Sequence, residues 1–449
     1  MAAVGLNGRA AGANESPMSA PENHDPNLLR ALAGELGTPF FVYDAAVLRE
    51  RIGLVRQLTA GPGVQARFAM KACPATRILR EMQAHGIWID AVSGNEVLRA
   101  RRAGFDRGFS PPQILLTADV FRDNALEVLC AEGVLPNLGS PGQLAPLLAA
   151  GWRGPVGIRV NPGFGHGHVA ACDTGGPSSK HGVWVADALA FAEQIERAGL
   201  PVVLLHAHVG SGPRIEEFDA NAERLVEVFA GLLERLPSVE AVNFGGGLPF
   251  SYRDPTELPD LAPLGRILVA ARDRFNAIAG RPIRVEIEPG RFFVAPAATL
   301  VATVTDIKST QTNDKGGGYD FLMVDAGFCD LVRPAMYGSF HRIGIVGEAL
   351  GPERPFAVAG PLCESGDVFT RDAGELIEPR LLPEPKVGDL ILLHDVGAYG
   401  VAMSSNYNSL GRAPQVWIED GVPTLLSRRE TLQDLLASEC EMSLSARTG

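Results

Sequence analysis

The sequence predicts an α/β fold: a (β/α)8 TIM-type barrel plus a C-terminal all-β domain that takes in an N-terminal strand. Three observations carry that prediction. From about residue 65, short apolar runs rich in β-branched residues alternate with longer amphipathic stretches, which is the pattern of β/α units. Reactive residues gather at the C-terminal ends of these runs, the face on which barrels place their sites. After about Pro296 the helical periodicity gives way to strand-like runs separated by Gly and Pro.

Taken in order, residues 1–26 are rich in Ala, Gly, Asn and Pro and lack the apolar core of a signal peptide, so they read as a disordered extension. In the segment 27–45, the apolar run Pro39–Tyr43 precedes the first helix and belongs to no β/α repeat, so it is assigned to the β domain. The barrel is expected over 46–295, with strands at Gln65–Met70, Ile87–Val92, Gln113–Thr117, Val134–Leu138, Pro155–Val160, Val202–His208, Glu240–Phe244 and Ile283–Ile287. Between them lie helical patterns such as Glu216 to Leu236, where Phe218, Ala222, Leu225, Phe229, Leu232 and Leu236 recur at spacings of three and four. The β domain, 296–449 with a short tail, shows strand-like runs at Thr299–Ile307, Asp320–Val324, Pro355–Ala359 and Leu390–His394.

Composition narrows the function classes. A chain of 449 residues suits one large domain and a smaller one. Its formal charge of -12 gives no electrostatic reason for nucleic acid or an anionic membrane as partner, so an anionic ligand must be caught locally. The six cysteines have no framework spacing, which argues for reduced thiols and a cytoplasmic setting. No segment approaches the ~18 uninterrupted apolar residues of a membrane span.

Lys71 ends a strand-like run and precedes Ala72, Cys73 and Pro74, so its amine projects from the barrel face. Alone, a strand-end lysine is a solvated charge. Its company suggests more, because an enzyme using pyridoxal phosphate (PLP) needs a lysine, a phosphate cradle, a partner for the pyridine nitrogen, a ring support and a proton donor. Gly245, Gly246 and Gly247 follow the seventh run, where barrels hold phosphate on backbone N–H groups, and Ser211 can add a hydroxyl. Glu288 closes the eighth run in Glu288-Pro289-Gly290-Arg291 and can keep a pyridine nitrogen protonated; a plain strand-end ion pair with Arg291 is the alternative. His206 and His208 share one strand face, which opens a metal reading, but third and fourth ligands are missing at consistent strand ends and no metal is expected. His208 as a support stacked on a cofactor ring suits the pattern better. Gly165-His166-Gly167-His168 with Cys172 matches no usual zinc spacing and reads as loop. Cys363, on a turn beside Glu364, is a candidate acid, and Tyr399 sits on a similar glycine-flanked turn.

These residues, with HAHVGSG at 206–212, RPAMYGS at 333–339, GPLCESGD at 360–367 and GAYG at 397–400, resemble the fold-type III PLP decarboxylases from about Thr38 to Leu435. The resemblance implies a PLP-bearing barrel and a homodimer with active sites shared between subunits. It implies that Lys71 carries the cofactor as an imine, His208 stacks on its ring and Glu288 pairs with the ring nitrogen. Ser211, the glycine triplet, Gly290, Arg291 and Tyr399 then surround the phosphate and the substrate entrance, Asp90 and Arg159 support them from neighbouring strands, and Cys363 comes from the other subunit.

Substrate choice rests on what reads the far end of an amino acid. Arg291, Arg333 and Tyr337 suit a distal carboxylate, and Glu364 suits a distal ammonium. Related ornithine enzymes carry aspartate where Glu364 stands. The expected reaction is therefore decarboxylation of meso-2,6-diaminopimelate at its D-centre to L-lysine and carbon dioxide. The alternatives are a decarboxylase of ornithine, lysine or arginine, a catalytically silent homologue that regulates a partner, and a metal hydrolase.

Overall fold

The computed structural model describes residues 24–165, 174–210, 215–254, 260–313, 316–347 and 352–440. The segment 1–23, Ser211, His166, His168 and Cys172 lie outside the described residues.

Eight parallel strands close on themselves: β2 (Val64–Ala69), β3 (Trp88–Ala91), β4 (Ile114–Ala118), β5 (Leu135–Leu138), β6 (Val156–Asn161), β8 (Val202–His206), β9 (Ala241–Asn243) and β10 (Arg284–Ile287). β10 returns to β2 with Val285 opposite Val64, and β5 meets β6, so no barrel edge is left unpaired. A two-residue strand, β7 (Val183–Trp184), lies beside β6 in the loop that follows it. All eight runs expected of the barrel became its strands, and the helical pattern begun at Glu216 is the helix Ile215–Arg235.

The barrel is wrapped in helices through apolar contacts such as Phe68 against Phe293, edge to face at 5.7 Å. Chain entry into the helices follows ordinary capping chemistry. Asp44 accepts from the N–H groups of Ala46 and Val47 to start Ala45–Leu58, and Ser93 accepts from Glu96 to start Gly94–Ala103.

The second sheet starts where the barrel ends. β11 (Ala298–Ser309) leaves the short helix Arg291–Val294 and forms the spine of a nine-stranded, mostly antiparallel sheet. The N-terminal strand β1 (Phe40–Asp44) is an inner member of it, antiparallel to β11 with Phe40 opposite Val301 and parallel to β17 (Gln415–Glu419). Residues nearly four hundred positions apart thus share a ladder. The helix Pro26–Leu36 covers β1, burying Leu29 and Leu32 against Phe40, Val42, Val301 and Val416. Among the described residues no helix is long and apolar enough to cross a membrane.

Candidate active site

Alternate residues of a strand share a face, so the barrel interior is built in steps of two. At the base Leu115, Leu135, Leu204 and Ala241 form an apolar plug. Two residues further along the same strands stand Thr117, Asn137, His206 and Asn243, all buried and all polar. The next step brings Asp119, Gly139, His208 and Gly245 to the rim. Polarity therefore rises toward the C-terminal mouth.

The middle layer is held by an ion pair between Arg67 on β2 and Glu286 on β10, both fully buried, with Nε 2.6 Å from Oε2 and Nη2 3.1 Å from Oε1. Burial alone would raise the Glu286 carboxyl. The charges and hydrogen bonds of Arg67 and Arg284 outweigh it and hold the group down at about 2. Asn243 links this pair to the rim, its Nδ2 donating to Glu286 Oε2 at 3.2 Å and to Glu288 Oε1 at 2.6 Å. His206 Nε2 donates to the other oxygen of Glu288 at 3.0 Å. Burial works to raise Glu288, but His206, by charge and hydrogen bond, and then Arg67 keep it below the ordinary carboxylate range. Glu288 is thus an ionised carboxylate with both oxygens oriented and lone pairs to spare.

Above this layer opens a cavity whose lining includes Lys71, His208, Gly246, Gly247, Glu288, Gly290, Arg291 and Tyr399. Lys71 lies in the single 3₁₀ turn Met70–Ala72 after β2, with its side chain exposed. His208 is kept neutral: burial of its nitrogens, then the positive charges of Lys71 and Arg159, hold it well below its ordinary value. Tyr399 adopts a left-handed φ of 62° and is tied down by its N–H on the Ala72 carbonyl at 2.8 Å.

Asp90 and Arg159 flank the cavity without lining it. Asp90 accepts from Thr117 Oγ1 at 2.6 Å, and burial followed by the charge of Glu288 pushes its carboxyl well above its usual value against the pull of Lys71. Arg159 is buried, which lowers it, while Asp119, Glu288 and Asp90 oppose that shift. Asp119 itself holds the loop after β6, through His181 Nδ1 at 2.5 Å and the Gly182 N–H at 3.1 Å.

The fit of a planar, anionic, carbonyl-bearing cofactor can be judged from these residues. Gly245 has φ +71°, and a Cβ there would stand 2.7 Å from the Ala207 carbonyl; at Gly246 it would stand 2.8 Å from the Glu288 carbonyl. Only glycine fits at either position; the Gly245 N–H is given to Asn243 Oδ1 at 2.8 Å, and the bare backbone of Gly246 and Gly247 lines the cavity where a phosphate needs N–H donors. His208 Nδ1 is buried and has no hydrogen-bond partner among the described residues. A flat neutral ring, an exposed lysine, a cation and an oriented carboxylate together match what such a cofactor needs.

The β domain supplies the outer wall. Arg333 and Tyr337 stand four apart on the helix Arg333–Tyr337; neither lines the cavity itself, but the guanidinium carbon of Arg333 lies 5.9 Å from the centre of the ring of Tyr399, which does. Cys363 and Glu364 do not join them. Both are exposed on a turn, outside the cavity lining of their own chain, with the Cys363 N–H donating to Asn408 Oδ1 at 3.2 Å. Sequence reasoning missed Asn243 and Tyr252 and weighed His206 only as a metal ligand. Asn243 and His206 grip Glu288, and their position two residues before Gly245 and His208 was the available signal. Tyr252, whose hydroxyl accepts from Arg333 Nη1 at 2.7 Å, carried no signal at all.

A family model described as pyridoxal-dependent decarboxylase, pyridoxal binding domain, matches residues 46–295. The chain belongs to that family of pyridoxal-dependent decarboxylases, and its cofactor is pyridoxal phosphate. Within the family its similarity is to the diaminopimelate decarboxylases. The Escherichia coli K12 enzyme of that name is 41% identical over 420 residues, covering 92% of this chain and 96% of the relative. A crystal structure of diaminopimelate decarboxylase superposes with a TM-score of 0.85 at 40% identity, covering 94% of this chain and 99% of that one. The Helicobacter pylori diaminopimelate decarboxylase complexed with L-lysine gives 0.80 at 26% identity, covering 91% and 98%.

Proposed function

We propose that this protein decarboxylates meso-2,6-diaminopimelate at its D-configured centre, releasing carbon dioxide and L-lysine. The observation that carries the reading is the pairing of an ionised, doubly oriented Glu288 behind the cavity with the buried guanidinium of Arg333 in front of it. The bound cofactor supplies an electron sink for the pair left behind when the carboxylate departs.

This chain's residues do the rest. Lys71 Nζ would hold the cofactor and recover it when product leaves. Glu288, kept negative by His206 and Asn243, favours a protonated ring nitrogen. His208 offers a flat face that does not compete for protons, since its own ring stays neutral. Gly245, Gly246, Gly247, Gly290 and Arg291 would hold the phosphate, with Ser211 and Tyr399 beside them. Asp90 and Arg159 keep the rim charges in place. Arg291, Arg333 and Tyr337 take the distal carboxylate, which ornithine lacks altogether and which lysine could present only at the expense of the carboxylate to be removed.

Cys363 and Glu364 are the proton donor to Cα and the partner of the distal ammonium, both contributed by a second copy of the chain. Their exposure on a turn away from their own cavity supports a homodimer with shared sites. We take the barrel as 46–295 and the β domain as 296–449, and place the enzyme in the cytoplasm, a setting suited to unpaired thiols. Incubating the holoprotein separately with meso-diaminopimelate, ornithine and lysine tests the reading. L-lysine from the first is expected; preferential release of putrescine or cadaverine overturns it. A visible absorbance band lost on borohydride treatment separates this enzyme from a silent homologue.

A further inference from the structure

Tyr252 is the side chain at this site that the proposed chemistry leaves unused. It stands five residues past Gly247, half-buried, and groups from both domains converge on it. Arg333 Nη1 donates to its hydroxyl at 2.7 Å. The guanidinium carbons of Arg333 and Arg291 lie 4.9 Å and 5.7 Å from its ring centre, inside cation–π range. Phe250 packs edge-on against the same ring at 4.8 Å, and His341 at 5.2 Å. His341 is fully buried, and burial followed by the charge of Arg333 brings it down to about 3, so it adds no positive charge beside the two arginines.

Arg333 is only 3% exposed and has no carboxylate partner among the described residues. A desolvated guanidinium without a counter-ion is costly unless an anion arrives to meet it. Its orientation is then what matters, because a guanidinium fork recognises a carboxylate only when the two are nearly coplanar. The phenol of Tyr252 is the described group that sets that orientation, accepting one N–H and leaving the rest of the fork for an incoming anion.

We propose that Tyr252 is a positioning residue for substrate selection: its hydroxyl and ring hold Arg333 and Arg291 so that the two guanidiniums meet the carboxylate that the reaction leaves in place. The inference rests on the reading of Arg291 and Arg333 given above. Tyr252 handles no proton of the reacting carbon, so it governs the binding of ligands that keep the distal carboxylate and is indifferent to those that lack it.

L-lysine keeps that carboxylate and cadaverine does not, so the pair isolates the effect. With holoenzyme, Tyr252→Phe is expected to weaken L-lysine binding by about tenfold, the loss of one hydrogen bond to a charged group, while cadaverine binding and the bound-cofactor absorbance stay unchanged. KM for meso-diaminopimelate is expected to rise by about the same factor, with kcat changed by less than about threefold. Lysine affinity equal to wild type, or lysine and cadaverine weakened together, overturns the proposal and leaves Tyr252 a packing residue. A wild-type enzyme that binds cadaverine as tightly as lysine, with Arg333→Met leaving lysine binding unchanged, refutes the carboxylate reading itself, and the role of Tyr252 falls with it.

Discussion

The wall of the site that the barrel supplies and the wall that the β domain supplies differ in how much of each a single chain completes. On the barrel side, Arg67, Glu286, Asn243, His206 and Glu288 form a continuous buried network with every carboxylate oxygen engaged. On the β-domain side, Arg333 lies buried with the Tyr252 hydroxyl as its hydrogen-bond partner, while Cys363 and Glu364 are exposed and lie outside the cavity lining of their own chain. The contrast teaches that cofactor electronics are set before any ligand arrives, whereas substrate recognition waits for an anion and, on our reading, for a second subunit.

The largest expected effect strikes the barrel side at its rim. Lys71→Ala should remove the visible absorbance and lower turnover by about 10³-fold or more, read by spectrum and product assay. Substantial turnover in that variant breaks the assignment.

Next comes the network itself. Arg67→Met leaves Glu286 buried with less positive charge around it and should destabilise the fold by about 3–5 kcal/mol in chemical denaturation. A change below about 1 kcal/mol would mean that the barrel wall is no more committed than the β-domain wall.

On the β-domain side, Cys363→Ser should slow turnover by about 10²-fold while the absorbance band persists. Mixing it with Lys71→Ala sharpens the comparison: subunits that share sites should regain about a quarter of wild-type turnover after exchange. No recovery would place Cys363 in its own chain's site.

The smallest effect is in pH. Glu286 is held at about 2, below its ordinary 4.5, so its contribution to stability is complete above 4.5 and declines as pH falls toward 2. His341, held at about 3 against an ordinary 6.5, also has a lowered value in the fold, so its contribution is complete above 6.5 and declines as pH falls from there. His208 on the barrel side is lowered too, so the buried histidines of both walls yield before Glu286 does. Between pH 6.5 and 5.5 His341 by itself should account for a loss of about 1 kcal/mol in denaturation, and because burial lowers His394 and His208 as well, His341→Asn should reduce the decline in that interval without abolishing it, while leaving the decline below pH 4.5.

Much of the barrel was legible because each of its strands is a local event. A strand of four to six residues shows its apolar character in its own composition, and the reactive residues follow at once, as Lys71 follows Ala69 and Glu288 follows Ile287. Elements whose pairing is distant were harder to place. β1 could be assigned to the C-terminal sheet, but its seat between β11 and β17 depends on partners more than 250 residues away. The short strand beside β6 and the helix Pro26–Leu36 have too little pattern of their own to announce them.

By itself, then, the sequence determined the barrel, the face that carries chemistry and the lysine, glycines and carboxylate that call for the cofactor, because period-two alternation and residue type are local properties. Only the tertiary structure decided which groups tune them. Strand alternation puts His206 and Asn243 on the face that carries the site but does not say that they will grip Glu288, and nothing along the chain announces that Tyr252 will meet Arg333, 81 positions away. Those contacts exist because barrel closure and domain packing bring distant strands together, and charge, orientation and pKa follow from the neighbours so acquired.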